Sequence, residues 1–441
     1  MGYRVLLIAE AANPEWVSVP LVGWSIFAAI RDEIVADGGE VHLVTQVRNR
    51  DALQRAGLRE GEDFTAIDTE FIARPVYRLS QVLRMGEGRG WTMVQAVNAL
   101  AYPWFERKVW ALFGPQIKAG RFDVVHRVTP LSPTIPSPMS RRCRAAGVPF
   151  VLGPLNGGVP WPKGFDQARR REREWLSYFR GLNHLRPSVR RTMADSASIL
   201  VGSRHTESEV PQEQRSKTVY LPENAVDPTW ILPRAEARRA DGPLLIAFVG
   251  RLVPYKGADM LLEACAPFIR QGRVRVDLVG DGPMRADLEQ QVRDLGLPSV
   301  EPNLNTAPLA GVAFHGWLER RRVKEVLIGA DLLGFPSIRE FGGGVVLEAM
   351  AMGIPPLIVD YAGPGELVDA HTGFKVPIGT RASIIRTLGE AMERILADRA
   401  CLVRTGEAAA ARVARDFTWQ AKARAVRAVY DSVCGPLQSG R

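Results

Sequence analysis

An alternation that runs twice along the chain constrains the fold most. Short runs rich in Val, Ile and Leu are followed by longer stretches with helical spacing. In the first half the runs fall at residues 4–10, 40–45, 123–126, 148–152, 198–203 and 218–221, with a helix over 23–36 stopped by Asp37-Gly38-Gly39. After the turn-rich stretch 222–228, which reads as a linker, they resume at 244–250, 274–279, 312–315, 330–335 and 356–359. A strand that is apolar along its whole length is buried on both faces. Strands of that kind separated by helices make a parallel sheet covered on both sides. A chain of 441 residues is too long for one core. Two α/β lobes are therefore expected, with a helical tail over 383–410 and a last helix from 417 to near Cys434. The two halves have different spacings, so they are not a sequence repeat.

One stretch carries chemistry: residues 336–351, Pro-Ser-Ile-Arg-Glu-Phe-Gly-Gly-Gly-Val-Val-Leu-Glu-Ala-Met-Ala. Gly342, Gly343 and Gly344 leave main-chain N–H groups unshielded by any Cβ, so a ligand can approach closely. Where such a turn opens a helix, the free N–H groups and the helix dipole favour anions. Glu340 and Glu348 are eight residues apart, a little over two helical turns. If the stretch is helical they share one side and suit a ligand with hydroxyls at both ends. The other reading is a strand-to-helix turn with two surface glutamates.

Composition excludes several classes. The residues are 46% hydrophobic and 24% charged, which is globular. No apolar run approaches the ~20 residues of a spanning helix, and the start is too short for a secretion signal. Cys143, Cys265, Cys401 and Cys434 have no paired spacing, so they suggest neither a zinc site nor a disulfide framework, and a cytoplasmic setting fits. Up to Pro222 there are 30 Lys and Arg against 22 Asp and Glu, whereas from Glu223 on there are 27 against 26. A basic first half fits an anionic partner or a solvated surface. Within it, residues 75–120 interleave Trp91, Tyr102, Trp104, Phe105, Trp110 and Phe113 with Arg84, Arg89, Arg107 and Lys108, and a further basic cluster lies at 169–173. Aromatic and cationic residues on an amphipathic surface suit a membrane interface; packing against the sheet is the alternative. No basic recognition motif appears, so no nucleic-acid partner is expected.

In an open parallel sheet, loops after strand ends line the ligand crevice. His126 and the loop Asn156, Gly157 and Gly158 take that place in the first half. In the second, Arg251 and Lys256 follow a strand and precede a helix, two cations suited to a diphosphate. Gly280-Asp281-Gly282-Pro283 reads as a structural turn.

Taken in order, Val249-Gly250-Arg251-Leu252, Lys256-Gly257, Val279-Gly280-Asp281-Gly282-Pro283, Pro336-Ser337, Glu340 and Glu348-Ala349-Met350-Ala351-Met352-Gly353 resemble the retaining nucleotide-sugar glycosyltransferases of family 4, of bacterial polysaccharide type. The resemblance implies the GT-B fold: two Rossmann-like parallel-sheet domains facing each other across a cleft. It implies an acceptor-binding domain at 1–222, completed by the C-terminal helix 417–436, and a donor-binding domain at 223–416. It implies that Arg251 and Lys256 hold the donor diphosphate and that Glu340 lies beside the transferred sugar. It further implies that Gly342, Gly343 and Gly344 contact sugar and phosphate oxygens and that Glu348 holds the ribose. Phe341 stands where the family usually has glycine, which would reshape the sugar pocket. Only Gly23 carries over from the family's paired glycines near the phosphates. His126 matches the strand that ends in active-site histidines, and Asn156, Gly157 and Gly158 match a loop bordering the cleft.

The implied activity is a retaining, metal-independent hexosyltransferase that uses a UDP- or GDP-sugar and needs no cofactor. No Asp-x-Asp triplet exists to hold a metal. Departure of the leaving group builds negative charge that Arg251, Lys256 and helix-terminal amides would stabilise. The expected acceptor is a lipid-linked or polysaccharide precursor, reached by peripheral contact with the anionic inner face of the cell membrane. A soluble glucan or small-molecule transferase is the alternative. A non-catalytic sugar-nucleotide scaffold is a third, expected to lack Lys256, Glu340 or Glu348, all of which are present.

Overall fold

The computed structural model describes residues 2–70, 91–162, 164–165, 186–231, 242–302 and 309–435. Residues 75–90 of the aromatic-basic segment, the cluster 169–173 and the segment 175–185 lie outside them. The chain divides into two compact units. One takes Met1–Gly158, Glu174–Glu223 and Trp419–Arg441; the other takes Val159–Arg173 and Asn224–Thr418.

The first unit runs β1 (Arg4–Ala9), α1 (Val19–Ala36), β2 (Glu40–Gln46), α2 (Arg50–Arg55), β3 (Phe64–Ile67), α3 (Trp91–Lys118), β4 (Val124–Thr129), α4 (Pro138–Ala145), β5 (Phe150–Leu155), α5 (Pro187–Asp195), β6 (Ser198–Val201), α6 (Arg204–Glu209) and β7 (Thr218–Tyr220). The strands form one sheet ordered β3-β2-β1-β4-β5-β6-β7. Every pair is parallel; Val5 of β1 stands opposite both Val41 and Val124. The pleat sorts β1 between two cores. Val5, Leu7 and Ala9 meet Ile26, Phe27 and Ile30 of α1, while Leu6 and Ile8 meet Phe105, Val109 and Phe113 of α3 with Met139 and Cys143 of α4. Along α3 the buried residues Tyr102, Phe105, Val109, Phe113 and Ile117 recur at helical spacing.

The second unit runs β8 (Leu244–Val249), α7 (Ala258–Arg270), β9 (Val274–Val279), α8 (Arg285–Asp294), β10 (Gly311–Gly316), α9 (Arg320–Gly329), β11 (Leu332–Phe335), α10 (Gly344–Ala351), β12 (Pro356–Asp360), α11 (Ala362–Leu367), β13 (Phe374–Pro377), α12 (Arg381–Ala397) and α13 (Ala400–Asp416). Its parallel sheet is ordered β10-β9-β8-β11-β12-β13. The last helix, α14 (Trp419–Cys434), returns to the first unit, where Val426, Val429 and Tyr430 join the α1 core.

Several local expectations change. Helix α1 starts four residues earlier than Gly23, with Pro20 in its first turn, where a missing N–H costs nothing. The helical region 383–410 is two helices, parted at Asp398 and Arg399, where Asp398 leaves the helical conformation. The edge strands β3 and β13 were not foreseen. The stretch 222–228 is no free linker: Val226 is buried and donates to Phe417 O at 2.9 Å. No helix among the described residues is long and apolar enough to cross a membrane.

Candidate functional site

In the second sheet the chain moves outward from β8 to β9 and β10, then returns to the other side of β8 as β11. The strand order therefore reverses between β8 and β11. In open α/β sheets the ligand crevice lies outside the strand C-termini at that point. The loops there are 250–257, leading into α7, and 336–343, leading into α10. They are stitched together: Ile338 N–H donates to Tyr255 O at 2.9 Å, and the Ser337 hydroxyl donates to the same oxygen at 3.1 Å. Gly257 caps α7 at φ 77°, and a Cβ there would stand 2.4 Å from Pro336 O. Both the left-handed backbone and the close approach demand glycine.

This junction brings Lys256 and Glu340 together. The Lys256 ammonium donates to the Glu340 carboxylate, and both side chains are largely buried, 16% and 20% exposed. The ammonium also lies 4.9 Å from the Phe335 ring centroid, a cation–π contact. The Arg251 side chain is exposed and has no partner among the described residues. Arg251 and Lys256 lie in the loop that leads into α7, whose opening amides favour an anion, and Glu340 offsets one of the two cations.

Glycine opens the second helix as well. Gly343 is its N-cap at φ 54°, and the intrahelical ladder begins when Val346 N–H donates to Gly343 O at 2.9 Å. The amides of Gly344 and Val345 precede that ladder, as the first turn of any helix requires. The carboxylates do not share a helix face, because α10 starts after Glu340. Only Glu348 is helical; Glu340 is placed by its loop, where its carbonyl accepts from Gly363 N–H at 3.0 Å. Burial raises the Glu348 carboxyl above the usual carboxylate range, opposed by Arg320 at 3.2 Å. The Arg320 guanidinium in turn lies 5.0 Å from the Trp230 ring centroid. The backbone of Gly280–Pro283 supports the Arg251 loop: Leu252 N–H donates to Asp281 O at 2.9 Å.

The first-unit residues are held by packing and internal hydrogen bonds. Gly23 lies inside α1, beyond its first turn, where a Cβ would stand 2.1 Å from Ala11 O. Close packing explains that glycine. His126 is fully buried at the end of the sequence run Asp123-Val124-Val125-His126. Its Nε2 lies 2.8 Å from Gly153 O and its Nδ1 lies 2.7 Å from the Tyr430 hydroxyl. A carbonyl only accepts, so Nε2 carries the hydrogen and Nδ1 accepts from tyrosine. Burial lowers the His126 pKa to about 4, so the ring is neutral and both nitrogens are engaged. Asn156 Nδ2 donates to Glu223 at 2.9 Å, its Oδ1 accepts from Gly158 N–H at 2.9 Å, and Gly157 N–H donates to the Thr206 hydroxyl at 2.9 Å.

Arg320 and the buried Lys422 escaped the sequence reading. Lys422 donates to Pro222 O, and desolvation, partly opposed by Glu223, lowers its pKa to about 7. Among the described residues no cluster of three or more His, Cys, Asp or Glu could hold a metal ion.

Residues 243–398 match the family described as Glycosyl transferases group 1. Alpha-D-kanosaminyltransferase of Streptomyces kanamyceticus is 28% identical over 234 residues, covering 51% of this chain and 56% of that protein. D-inositol 3-phosphate glycosyltransferase of Nocardia farcinica is 32% identical over 211 residues, covering 47% and 45%. The chain spans about half the length of these curated relatives. The Anabaena protein HepE, crystallised with UDP and glucose, superposes with a TM-score of 0.56 at 17% identity, over 98% of this chain and 100% of that one. Sucrose-phosphate synthase from Thermosynechococcus elongatus gives 0.57 at 17% identity, over 98% of each. These likenesses are of fold: the pair of parallel-sheet units is that of GT-B glycosyltransferases.

Proposed function

We propose, from a second unit that carries a glycosyl transferases group 1 domain over residues 243–398, that the protein moves a sugar from a nucleotide diphosphate donor to a hydroxyl acceptor. The observation that carries this reading is the Lys256–Glu340 pair at the reversal of strand order, with uncommitted Arg251 in the loop that leads to Lys256 and Glu348 in the helix that follows Glu340. Arg251, Lys256 and the amides opening α7 take the diphosphate, whose negative charge grows as the sugar leaves. One preorganised donor of this kind contributes about 3 kcal/mol, a hundredfold or more in rate. Glu340, anionic beside Lys256, offsets positive charge developing on the sugar ring. Amides of Gly342, Gly343 and Gly344 contact donor oxygens, Phe341 borders the sugar, and Glu348 receives the ribose hydroxyls. Retention of anomeric configuration belongs to this reading, as does a metal-free site in which cations and amides carry the charge.

A UDP-sugar is the first donor to try, because the Anabaena protein was crystallised with UDP and glucose. For the acceptor we favour a lipid-linked or polysaccharide precursor at the inner membrane face. Its support is the outward side of α3. Trp104 and Leu112 are 47% and 54% exposed there, and the Arg107 guanidinium lies 4.7 Å from the Trp104 ring centroid. Such a face suits peripheral contact with anionic lipid. Transfer to a small soluble acceptor is the second reading, motivated by the relative named for inositol 3-phosphate.

The test is nucleotide release from UDP-, GDP- and ADP-sugars by wild type, Lys256→Ala and Glu340→Gln. The reading expects release from one donor class and at least a hundredfold loss in both variants. Full turnover in both folded variants removes the site. Cosedimentation with anionic vesicles at low salt tests the membrane part, and binding unchanged in Trp104→Ala/Leu112→Ala removes α3 from it.

A further inference from the structure

The chain leaves the first unit at Gly158, and its next residues pack within the second unit. Residues 159–161 are fastened there at three points. Arg339 Nε donates to Val159 O at 3.2 Å, and the Tyr361 hydroxyl donates to Pro160 O at 3.0 Å. The Trp161 ring lies 5.1 Å from the Arg339 guanidinium carbon and meets Tyr255 edge-on, with centroids 6.2 Å apart and planes at 88°. A few residues on, Phe165 is buried in the second unit's core.

The three anchoring residues follow three different strands: Tyr255 after β8, Arg339 after β11 and Tyr361 after β12. Each adjoins the candidate site. Tyr255 precedes Lys256, and Arg339 precedes Glu340. Tyr361 leads into helix α11, where Gly363 N–H holds the Glu340 carbonyl at 3.0 Å. Lysine and glutamate side chains are long and flexible, so where ammonium and carboxylate meet depends on how firmly their backbones are held. Two aromatic contacts and two hydrogen bonds from one short segment brace all three loops at once.

We propose that Trp161 is a positioning residue for the Lys256–Glu340 pair. It acts through Arg339 and Tyr255, in a strap that follows the loop Asn156, Gly157 and Gly158 directly in sequence. The proposal rests on the glycosyltransferase reading for its chemical consequence but not for its structural one. The ring does the work. The Trp161 Nε1–H is buried without a partner among the described residues and takes no part in the bracing, so phenylalanine should substitute.

Two measurements on the whole 441-residue chain decide it. Amide hydrogen exchange without ligand is compared for wild type, Trp161→Ala and Trp161→Phe. The alanine variant should exchange about tenfold faster at residues 254–257 and 337–341, with β9 unchanged and the phenylalanine variant near wild type. Unchanged exchange in those loops overturns the strap, whatever the turnover. Nucleotide release from the donor sugar is then measured. Trp161→Ala and Arg339→Gln should each lower kcat about tenfold with donor KM within about threefold, and the double variant should lose no more than the worse single one. A purely structural role would lower the melting temperature and leave kcat per folded molecule intact. That result, additive losses, or a phenylalanine variant as poor as alanine overturns the positioning role. Wild type that releases nucleotide from no donor overturns the glycosyltransferase reading instead, and the exchange result still decides the strap.

Discussion

His126 offers a test that separates structure from chemistry. The neutral ring is held between Gly153 O and the Tyr430 hydroxyl, and its pKa falls from 6.5 to about 4 through burial. The sign follows from linkage. The folded pKa lies below the unfolded one, so between pH 6.5 and pH 4 the unfolded chain binds the extra proton. Stability is therefore complete above pH 6.5 and is lost as pH falls toward 4. A depression of this size is worth about 3 kcal/mol over that window. The perturbation is His126→Gln, which can still donate to Gly153 O and does not titrate. Urea unfolding of both proteins, followed by exchange at amides of β4 and β5, gives the stability difference between them at pH 7 and at pH 4. Wild type should lose about 3 kcal/mol relative to the variant on acidification. A difference constant to within about 1 kcal/mol refutes the buried neutral ring. Turnover at pH 7 should survive the substitution within about tenfold; a loss beyond a hundredfold with the fold intact gives the imidazole a chemical role after all.

Three further outcomes follow from the geometry. Glu348→Gln should weaken binding of UDP or GDP by about tenfold in calorimetry, since the carboxyl group proposed to receive the ribose hydroxyls is removed; equal affinities exclude it from the site. Gly257→Ala should cost more than about 1 kcal/mol in urea unfolding and lower turnover, because a left-handed residue 2.4 Å from Pro336 O cannot take a Cβ without moving the Lys256 loop. Lys422 has a folded pKa near 7 against about 10.4 unfolded, so its contribution grows as pH rises through that interval. Wild type should gain roughly 3 kcal/mol between pH 7 and pH 10 relative to Lys422→Met, and parallel pH profiles would place the ammonium in water.

The sheets were legible because burial on both faces leaves few polar residues to interrupt a strand, as in Leu244–Val249 or Leu332–Phe335. The edge strands β3 and β13 were not. Thr65 interrupts the first and Lys375 the second, so neither shows the unbroken apolar run of a central strand such as Leu332–Phe335. At the site, Arg251, Lys256 and Glu348 could be picked out because they sit at fixed offsets from strand ends and glycines. Arg320 and Trp161 could not. Trp161 packs on Arg339, and the neighbouring contact from Arg339 to Val159 spans 180 residues; no local pattern encodes contacts at that separation. His126 shows a different limit. The strand runs on to Thr129, so His126 lies inside β4, and a histidine there looks the same in sequence whether its nitrogens face a ligand or are both engaged within the fold.

The eight-residue spacing of Glu340 and Glu348 suggested one helix presenting two acids, and the structure assigns the placement to something else. Helix α10 cannot reach back to Glu340, because the chain enters it only through the left-handed Gly343. What fixes Glu340 is the start of α11, which follows β12 directly. Its Gly363 N–H grips the Glu340 carbonyl, and a Cβ on Gly363 would stand 1.9 Å from Phe341 O. The backbone of Phe341 is thus clamped from the side of β12, while Gly343 alone makes the turn into the helix. Phenylalanine can then follow Glu340, because the left-handed conformation falls two residues later. Helix α10 sets the position of Glu348, and contacts from the Tyr255 loop and the start of α11 set that of Glu340. The two acids can therefore be perturbed independently: substitutions at Gly363 should move Glu340 and spare Glu348.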